Sequence, residues 1–203
     1  LDFDTLRPGD IMEMTWGIEK CALRLQRLVQ NYLLYADIEL LHKKPEQFRS
    51  AAHSHTANTR KVVLKAARTC VLRHMRLEDL TSELAEAAAF IGENYLAKIV
   101  EELVDNACIY SPAHAPITVA TTTENGWLVL KVTDQGRGMS AGQISEIAAF
   151  RQFDRQKYEQ QGMGLGLFVS RRLTELFDGQ FTIRSAEGKG TTVEVRLPLK
   201  AAG

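Results

Sequence analysis

Four short groups of residues in the second half of this sequence have the types and spacing to hold a charged ligand. Glu102 and Asn106 lie four apart within a stretch of helical apolar periodicity, so a carboxylate and a carboxamide share one flank of a helix. Such oxygens suit a hard cation, and Mg2+ usually takes only one or two ligands from protein. The same pair also reads as a solvated Glu and a helix-interior Asn, although Asn is a poor helix former and its presence there asks for a reason. Asp134 closes an alternating apolar segment and precedes Gly136-x-Gly138. Glycines there let the backbone turn sharply and approach a ligand. A carboxylate so placed can accept a hydrogen bond from an exocyclic amine, adenine's among them, or it is the Asp of a plain β-turn. Gly162-x-Gly164-x-Gly166 directly precedes a helical pattern. Its backbone N–H groups and the helix N-terminus form an anion site suited to phosphates. It is neither a Walker loop, which needs Gly-Lys-Ser/Thr, nor a dinucleotide fingerprint after a strand. Gly188-Lys189-Gly190-Thr191 lies between two strand-like segments, where a hairpin turn would serve equally well.

These groups require a scaffold, and the punctuation of the sequence supplies one. A helix is predicted over about 95–110, with Leu96, Ile99, Val100, Leu103 and Ala107 on its sheet-facing side and Ser111-Pro112 as its stop. Two strands follow, 117–122 and 127–132, joined by a Glu124-Asn125-Gly126 turn. A short helix is expected through 144–149. Another opens at the glycine loop and ends at Asp178-Gly179, and strands over 181–185 and 192–197 complete the chain. Upstream, Ser54 and Thr56 are candidate N-caps of a helix through Val62, Val63, Ala66 and Val71, and 79–85 reads as a short strand. A first helix runs from about 14 to 41, where Leu25, Leu28, Val29, Tyr32, Leu33 and Ala36 form one stripe. Leu34, Tyr35, Ile38 and Leu40 lie partly off it, which is more apolar surface than one packing partner covers. Lys43-Lys44-Pro45 is the predicted stop. The fold class is therefore α+β: a two-layer α/β sandwich, its mixed sheet covered on one face by helices, behind a long N-terminal helix. The expected division is a helical region over 1–45 and a ligand-binding domain over 46–203.

Composition narrows the function classes. Among 203 residues, Lys+Arg and Asp+Glu are equal at 25 each, which argues against nucleic acid or an anionic membrane as partner. The three cysteines are widely spaced and form no C-x-x-C pair, so reduced thiols are expected rather than a disulfide framework or a zinc site. No apolar run reaches the ~18 residues of a membrane span and no signal peptide opens the chain, which together point to a cytoplasmic setting. The first residue is Leu, so the sequence reads as a piece of something longer.

The order of the four groups, with the phrases LAKIVEELVDNACIYSP, LKVTDQGRGMS, GMGLGLFVSRRLTELFDG and GKGTTVEVRLPL, resembles the four nucleotide-binding boxes of the Bergerat-fold ATPases over about 76–200. The phrases are most similar to the sensor histidine kinase branch. RLQRLVQNYLLYADIELL likewise resembles the second helix of a histidine kinase dimerisation region, a four-helix bundle across a dimer. That resemblance implies ATP and Mg2+. Asn106 would coordinate Mg2+, and Glu102 would bind it or polarise the nucleophile. Asp134 would read the adenine amine beside Thr191, with Gly136, Gly138 and Tyr110 shaping the pocket. Phe153 and Arg155 match residues that precede the mobile lid, Arg155 offsetting charge on the γ-phosphate. Gly162, Gly164, Leu165 and Gly166 would carry the lid to the phosphates.

One departure stands out. Ile109 occupies the position, three after the Asn, where many histidine kinases place Lys or Arg; Lys157 is the candidate substitute. The implied activity is that of a protein-histidine kinase, acting on a histidine of an upstream helix and, through it, on a response regulator receiver domain. A nucleotide-binding module without transfer and a conformational ATPase of the gyrase or mismatch-repair type are the alternatives. None of the five histidines, His42, His53, His55, His74 and His114, is followed by Glu or Asp, the usual neighbour of an acceptor in this family. The chain alone is therefore expected not to phosphorylate itself.

Overall fold

The computed structural model describes residues 7–42, 55–149 and 165–200. Helix α1 spans Pro8–His42 and starts earlier than the apolar stripe alone suggests. Pro8 takes the first helical position, where its missing N–H is no loss, and Asp10 accepts the Arg7 N–H at 3.1 Å. Near its C-terminal end α1 leans on the domain: Ile38 is 1% exposed, and the Tyr35 ring meets Phe168 at 5.5 Å. The stripe around Leu25, Val29, Tyr32 and Leu33 stays exposed. Leu34, Tyr35 and Ile38, off the stripe, are thus the ones that pack on this domain, whereas Leu40 and that part of the stripe face solvent. The predicted Lys43-Lys44-Pro45 stop and the Ser54 cap lie outside the described residues.

Helix α2 (Thr59–Arg73) is capped by Asn58, whose side chain accepts the Lys61 N–H at 2.9 Å. Thr56 is not the cap. It is buried in a bridge with Ala89, and its hydroxyl donates to the Ile91 carbonyl at 2.7 Å. The helix ends without glycine. Met75 adopts φ 54°, and the N–H groups of Arg76 and Met75 bond back to Val71 at 2.8 Å and Leu72 at 3.0 Å, a Schellman closure.

Strand β1 (Leu80–Leu84) leads to α3 (Glu93–Tyr110), which crosses over to β2 (Ile117–Glu124) lying parallel to β1. A turn with Asn125 at φ 48° and Gly126 at φ 83° returns the chain as β3 (Trp127–Asp134). Helix α4 (Ala141–Ala149), helix α5 (Leu165–Leu176), β4 (Gln180–Ser185) and β5 (Thr191–Pro198) complete the described chain. The sheet order is β1-β2-β3-β5-β4, antiparallel except for the first pair. Strands β2 and β3 run two residues further than their patterns alone indicate, which makes Asp134 the last residue of the central strand. It pairs with Ile117 on one side and Thr191 on the other.

One core joins the layers. Leu96, Ile99, Val100, Leu103 and Ala107 of α3, with Val169 and Leu173 of α5, cover Val119, Leu130, Val132, Val193 and Val195 of the sheet. This is the two-layer arrangement with a mixed sheet that the sequence pattern anticipates.

Candidate functional site

The site begins where β3 and β5 end side by side. The Asp134 carboxylate accepts the Gly136 N–H at 2.7 Å and a second N–H from Thr191. Burial raises its pKa above the usual carboxylate value, opposed in lesser degree by those two donors and by the charge of Arg76. Glycine is required around it for space. A Cβ on Gly136 would overlap the Tyr110 carbonyl, one on Gly138 (φ 67°) the Ala186 carbonyl, and one on Gly190 (φ 77°) the carbonyl of Asp134 itself. Ser185 knits the two loops together. Its hydroxyl donates to the Gly190 carbonyl at 2.8 Å, lies 2.9 Å from the Thr191 hydroxyl, and receives the Met139 N–H at 2.9 Å. Tyr110, at the end of α3, accepts the Arg137 N–H at 3.1 Å, and the Arg137 guanidinium lies 4.6 Å from its ring centroid. Asp134, Gly136, Gly138, Thr191 and Tyr110, read from three separate groups, therefore meet in one place.

The other end of the site lies against α5. Glu102 is 2% exposed rather than solvated, and its carboxylate lies 2.7 Å from the Lys98 ammonium one turn earlier. A Cβ on Gly166 would overlap its Oε2 and come within 3.6 Å of Asn106 Nδ2. Gly166, in the first turn of α5, thus fits over the Glu102–Asn106 pair because it lacks a side chain. Asn106 Nδ2 is buried with no hydrogen-bond partner among the described residues. A buried amide without a partner is costly unless something else meets it, and which amide atom faces outward is interchangeable. A carboxylate and such an amide fit a hard divalent ion of the Mg2+ kind.

Leu165 packs partly buried on the core. Phe153, Arg155, Lys157, Gly162 and Gly164 lie outside the described residues. Ile109 is exposed. The sequence reading passed over three residues. Lys98 was findable, since it stands four before Glu102 on a helix. Ser185 gave no signal beyond its strand-end position. Arg76 gave none at all, yet it is 8% exposed and bonds the carbonyls of Cys108 (2.9 Å), Ser111 (3.3 Å), Pro112 (2.8 Å) and Ala115 (2.9 Å), which close the loop behind Tyr110.

Residues 92–201, more than half of the chain, match the sequence family described as histidine kinase-, DNA gyrase B-, and HSP90-like ATPase. The chain belongs to that ATPase family. Sensor histidine kinase RppB of Synechocystis sp. is 26% identical over 205 residues, covering 98% of this chain and 43% of RppB. Histidine protein kinase DivJ of Caulobacter vibrioides is 35% identical over 108 residues, covering 53% of this chain and 18% of DivJ. The chain spans less than half the length of these curated relatives. Among solved structures, the Acinetobacter baumannii histidine kinase AdeS has a TM-score of 0.64 at 14% identity, covering 97% of this chain and 87% of that one. Full-length ShkA, in complex with AMPPNP, has a TM-score of 0.68 at 19% identity, covering 98% of this chain and 41% of ShkA. These two likenesses show the fold. Within the family, the chain is an ATP-binding domain of the histidine kinase type, and among its described residues no helix is long and apolar enough to cross a membrane.

Proposed function

We propose that this domain serves a two-component protein-histidine kinase, transferring the γ-phosphoryl of ATP to a histidine on another helical segment of its parent. The observation that carries the reading is the convergence of a half-buried Asp134 between two glycine turns with a Glu102–Asn106 pair covered by Gly166. The AMPPNP held by the structurally similar ShkA supports it. Asp134 accepts the adenine amine, Thr191 and the Gly136 and Gly138 turns shape the base pocket, and Tyr110 walls it. Asn106 and Glu102 hold Mg2+, which when bound offsets charge on the phosphates. Glu102 is also placed to polarise the incoming imidazole. By family resemblance Phe153, Arg155, Lys157, Gly162 and Gly164 form the lid, with Arg155 at the γ-phosphate and Lys157 in the role that Ile109 does not fill. Helix α1 is the second helix of a dimerisation region over 1–45, and its exposed Leu25–Leu33 stripe supports a homodimer. The 46–203 region is the catalytic domain of a cytoplasmic signalling protein, whose phosphohistidine serves a receiver domain.

The test supplies the acceptor in trans. Incubated with γ-labelled ATP, Mg2+ and a separate polypeptide carrying an acceptor helix (a His followed by Glu or Asp), the chain should place acid-labile, base-stable label on that helix. It should place none on His42, His53, His55, His74 or His114. Steady ATP hydrolysis with no protein label would instead mark a gyrase-like ATPase. Binding without turnover would mark a nucleotide-gated module, the reading that Ile109 favours.

Gly166→Ala separates positioning from folding. Its new methyl has to displace the Glu102 carboxylate, while Ala is better than Gly in a helix by about 1 kcal/mol. Single-turnover transfer should fall roughly ten- to a hundredfold while the melting temperature holds or rises. Unchanged transfer would release Glu102 from the chemistry.

A further inference from the structure

Where α2 packs on α3, the two helices bring three metal-binding side chains to one point, with a fourth next to them. Cys70 and His74 stand four apart across the end of α2, and Asp105 and Cys108 stand three apart on α3, so each pair shares one helical face. The packing of α2 on α3 turns the two faces together. His74 Nε2 and Asp105 Oδ1 are 2.7 Å apart, and the ligand atoms of Cys70, His74 and Asp105 all lie within 4.8 Å of one another. Among the described residues this is the one place where three such ligand atoms gather so closely. The Cys70 thiol itself donates to the Glu101 carbonyl at 3.7 Å, and the buried Cys108 thiol, one turn beyond Asp105 on α3, lies next to this group of three rather than within it.

We propose that Cys70, His74 and Asp105 form a binding site for a divalent transition-metal ion of the zinc class, separate from the nucleotide site, with the neighbouring Cys108 thiol turning in as the fourth donor. The donor set selects the ion. A thiol, an imidazole and a carboxylate are a borderline-soft set that suits Zn2+ or Co2+, whereas Mg2+ prefers oxygen alone. With the Cys108 thiol as the fourth, these donors complete a tetrahedron, the geometry of closed zinc sites.

The adjustment needed is small. With Zn–N and Zn–O near 2.0–2.2 Å, tetrahedral coordination separates the two atoms by about 3.3 Å. A slight rotation of His74 or Asp105 therefore opens their contact to admit the ion. Access is available, because the His74 side chain is 29% exposed while Asp105 is 5% exposed and both thiols are buried. Each coordinating thiol gives up its proton to the solvent as sulfur binds.

A His–Asp hydrogen bond would account for two of these residues without a metal. It does not account for the Cys70 thiol, which lies within 4.8 Å of both ligand atoms. The widely spaced cysteines carry no C-x-x-C signature because the pairing arises from helix packing rather than from local sequence. Occupied, the site pins the last turn of α2 to α3 beside the Asn106 turn.

The experiment uses the full chain, reduced and stripped of metal with a chelator, then titrated with Co2+ alone. The expected result is a thiolate-to-cobalt charge-transfer band in the near ultraviolet, with visible bands of tetrahedral intensity. The endpoint should be one ion per chain, and Zn2+ should abolish the signal. Cys70→Ser and Cys108→Ser should each diminish the charge-transfer band. His74→Gln, at a partly exposed position that tolerates change, should weaken Co2+ by at least about tenfold. Cys21→Ser, at an exposed residue remote from the cluster, should leave the titration unchanged. If the buried cysteine variants do not fold, His74→Gln decides. The proposal is overturned by the absence of a cobalt band at excess metal, or by a band indifferent to His74→Gln. It is equally overturned by a Cys70–Cys108 disulfide in freshly isolated, metal-free protein, which would make the pair a redox element.

Discussion

Replacing Asp134 by Asn should weaken ATP binding by about one to two decades while the protein melts at the same temperature or slightly higher. If the carboxylate accepts the adenine amine, the amide can keep one acceptor oxygen for the Gly136 N–H, but it turns a donor toward another donor. Losing a hydrogen bond to a charged group costs on the order of 1.5–3 kcal/mol, which is the stated range in affinity. Stability moves the other way because burial holds the Asp134 pKa above its ordinary value of 3.8. A raised folded-state pKa means that the folded chain prefers the protonated acid. That contribution is fully present below the unfolded value and is lost as pH rises through the folded one. At neutral pH the ionised carboxylate is therefore a liability to the fold, kept for the ligand, and Asn removes it. The variant's thermal advantage should be present at pH 7 and shrink as the pH approaches 3.8. Calorimetric titration with ATP and thermal melts at both pH values check the two halves separately. Unchanged ATP affinity would take Asp134 out of the pocket, and a large loss of stability would make it a structural residue.

The parts legible in the sequence are those governed by local rules. Period-two alternation located β2, β3, β4 and β5, and the Asn125-Gly126 pair marked the turn whose positive φ values the backbone shows. The glycines of the site were legible because the fold leaves no room for a Cβ at Gly136, Gly138, Gly166 and Gly190. What escaped depends on long-range contact. Nothing local distinguishes Glu102 on the flank of α3 as buried; its burial comes from α5 packing over it. The end of α2 is hidden because Met75 takes the left-handed position that glycine usually marks, at about 1–2 kcal/mol for a residue with a Cβ. Thr56 was a candidate cap that the bridge to Ala89 assigns elsewhere, and Asn58, two residues on, takes the role instead. On α1 the apolar stripe was legible but its partner was not, since Ile38 and Tyr35, off the stripe, are the residues that meet this domain.

Arg76 is the strongest case of a residue without a local signal, and its replacement should have the largest effect on stability. Its guanidinium sits behind the end of α3. It donates to the carbonyls of Cys108, Ser111, Pro112 and Ala115 and to the Ser111 hydroxyl at 2.9 Å, and pairs with Asp79 at 2.6 Å. Three of those carbonyls, of Ser111, Pro112 and Ala115, belong to the loop where the helix has ended, and of these Pro112 also accepts the Ala115 N–H at 3.2 Å. Arg76→Ala takes the guanidinium donors from all of them and leaves a cavity, with only the Pro112 carbonyl keeping its bond to the Ala115 N–H. The expected loss is on the order of 3 kcal/mol, which for a chain of this size lowers the melting temperature by roughly 6–12 °C. Arg76→Lys should recover only part of it, because an ammonium cannot reproduce the planar fork that reaches several oxygens at once. Acid supplies a second readout. The Arg76 hydrogen bond holds the Asp79 pKa below its usual value of 3.8, so this stabilisation is present above that value and disappears as pH falls through the lower folded one. The gap between the native chain and Arg76→Ala should accordingly narrow below pH 3.8. Nucleotide affinity should fall with stability, since this loop anchors the end of α3, where the Tyr110 carbonyl accepts the Arg137 N–H beside the Gly136 turn. An Arg76→Ala chain that melts with the native protein would show that water replaces the guanidinium without loss. The site would then be held by its glycines alone.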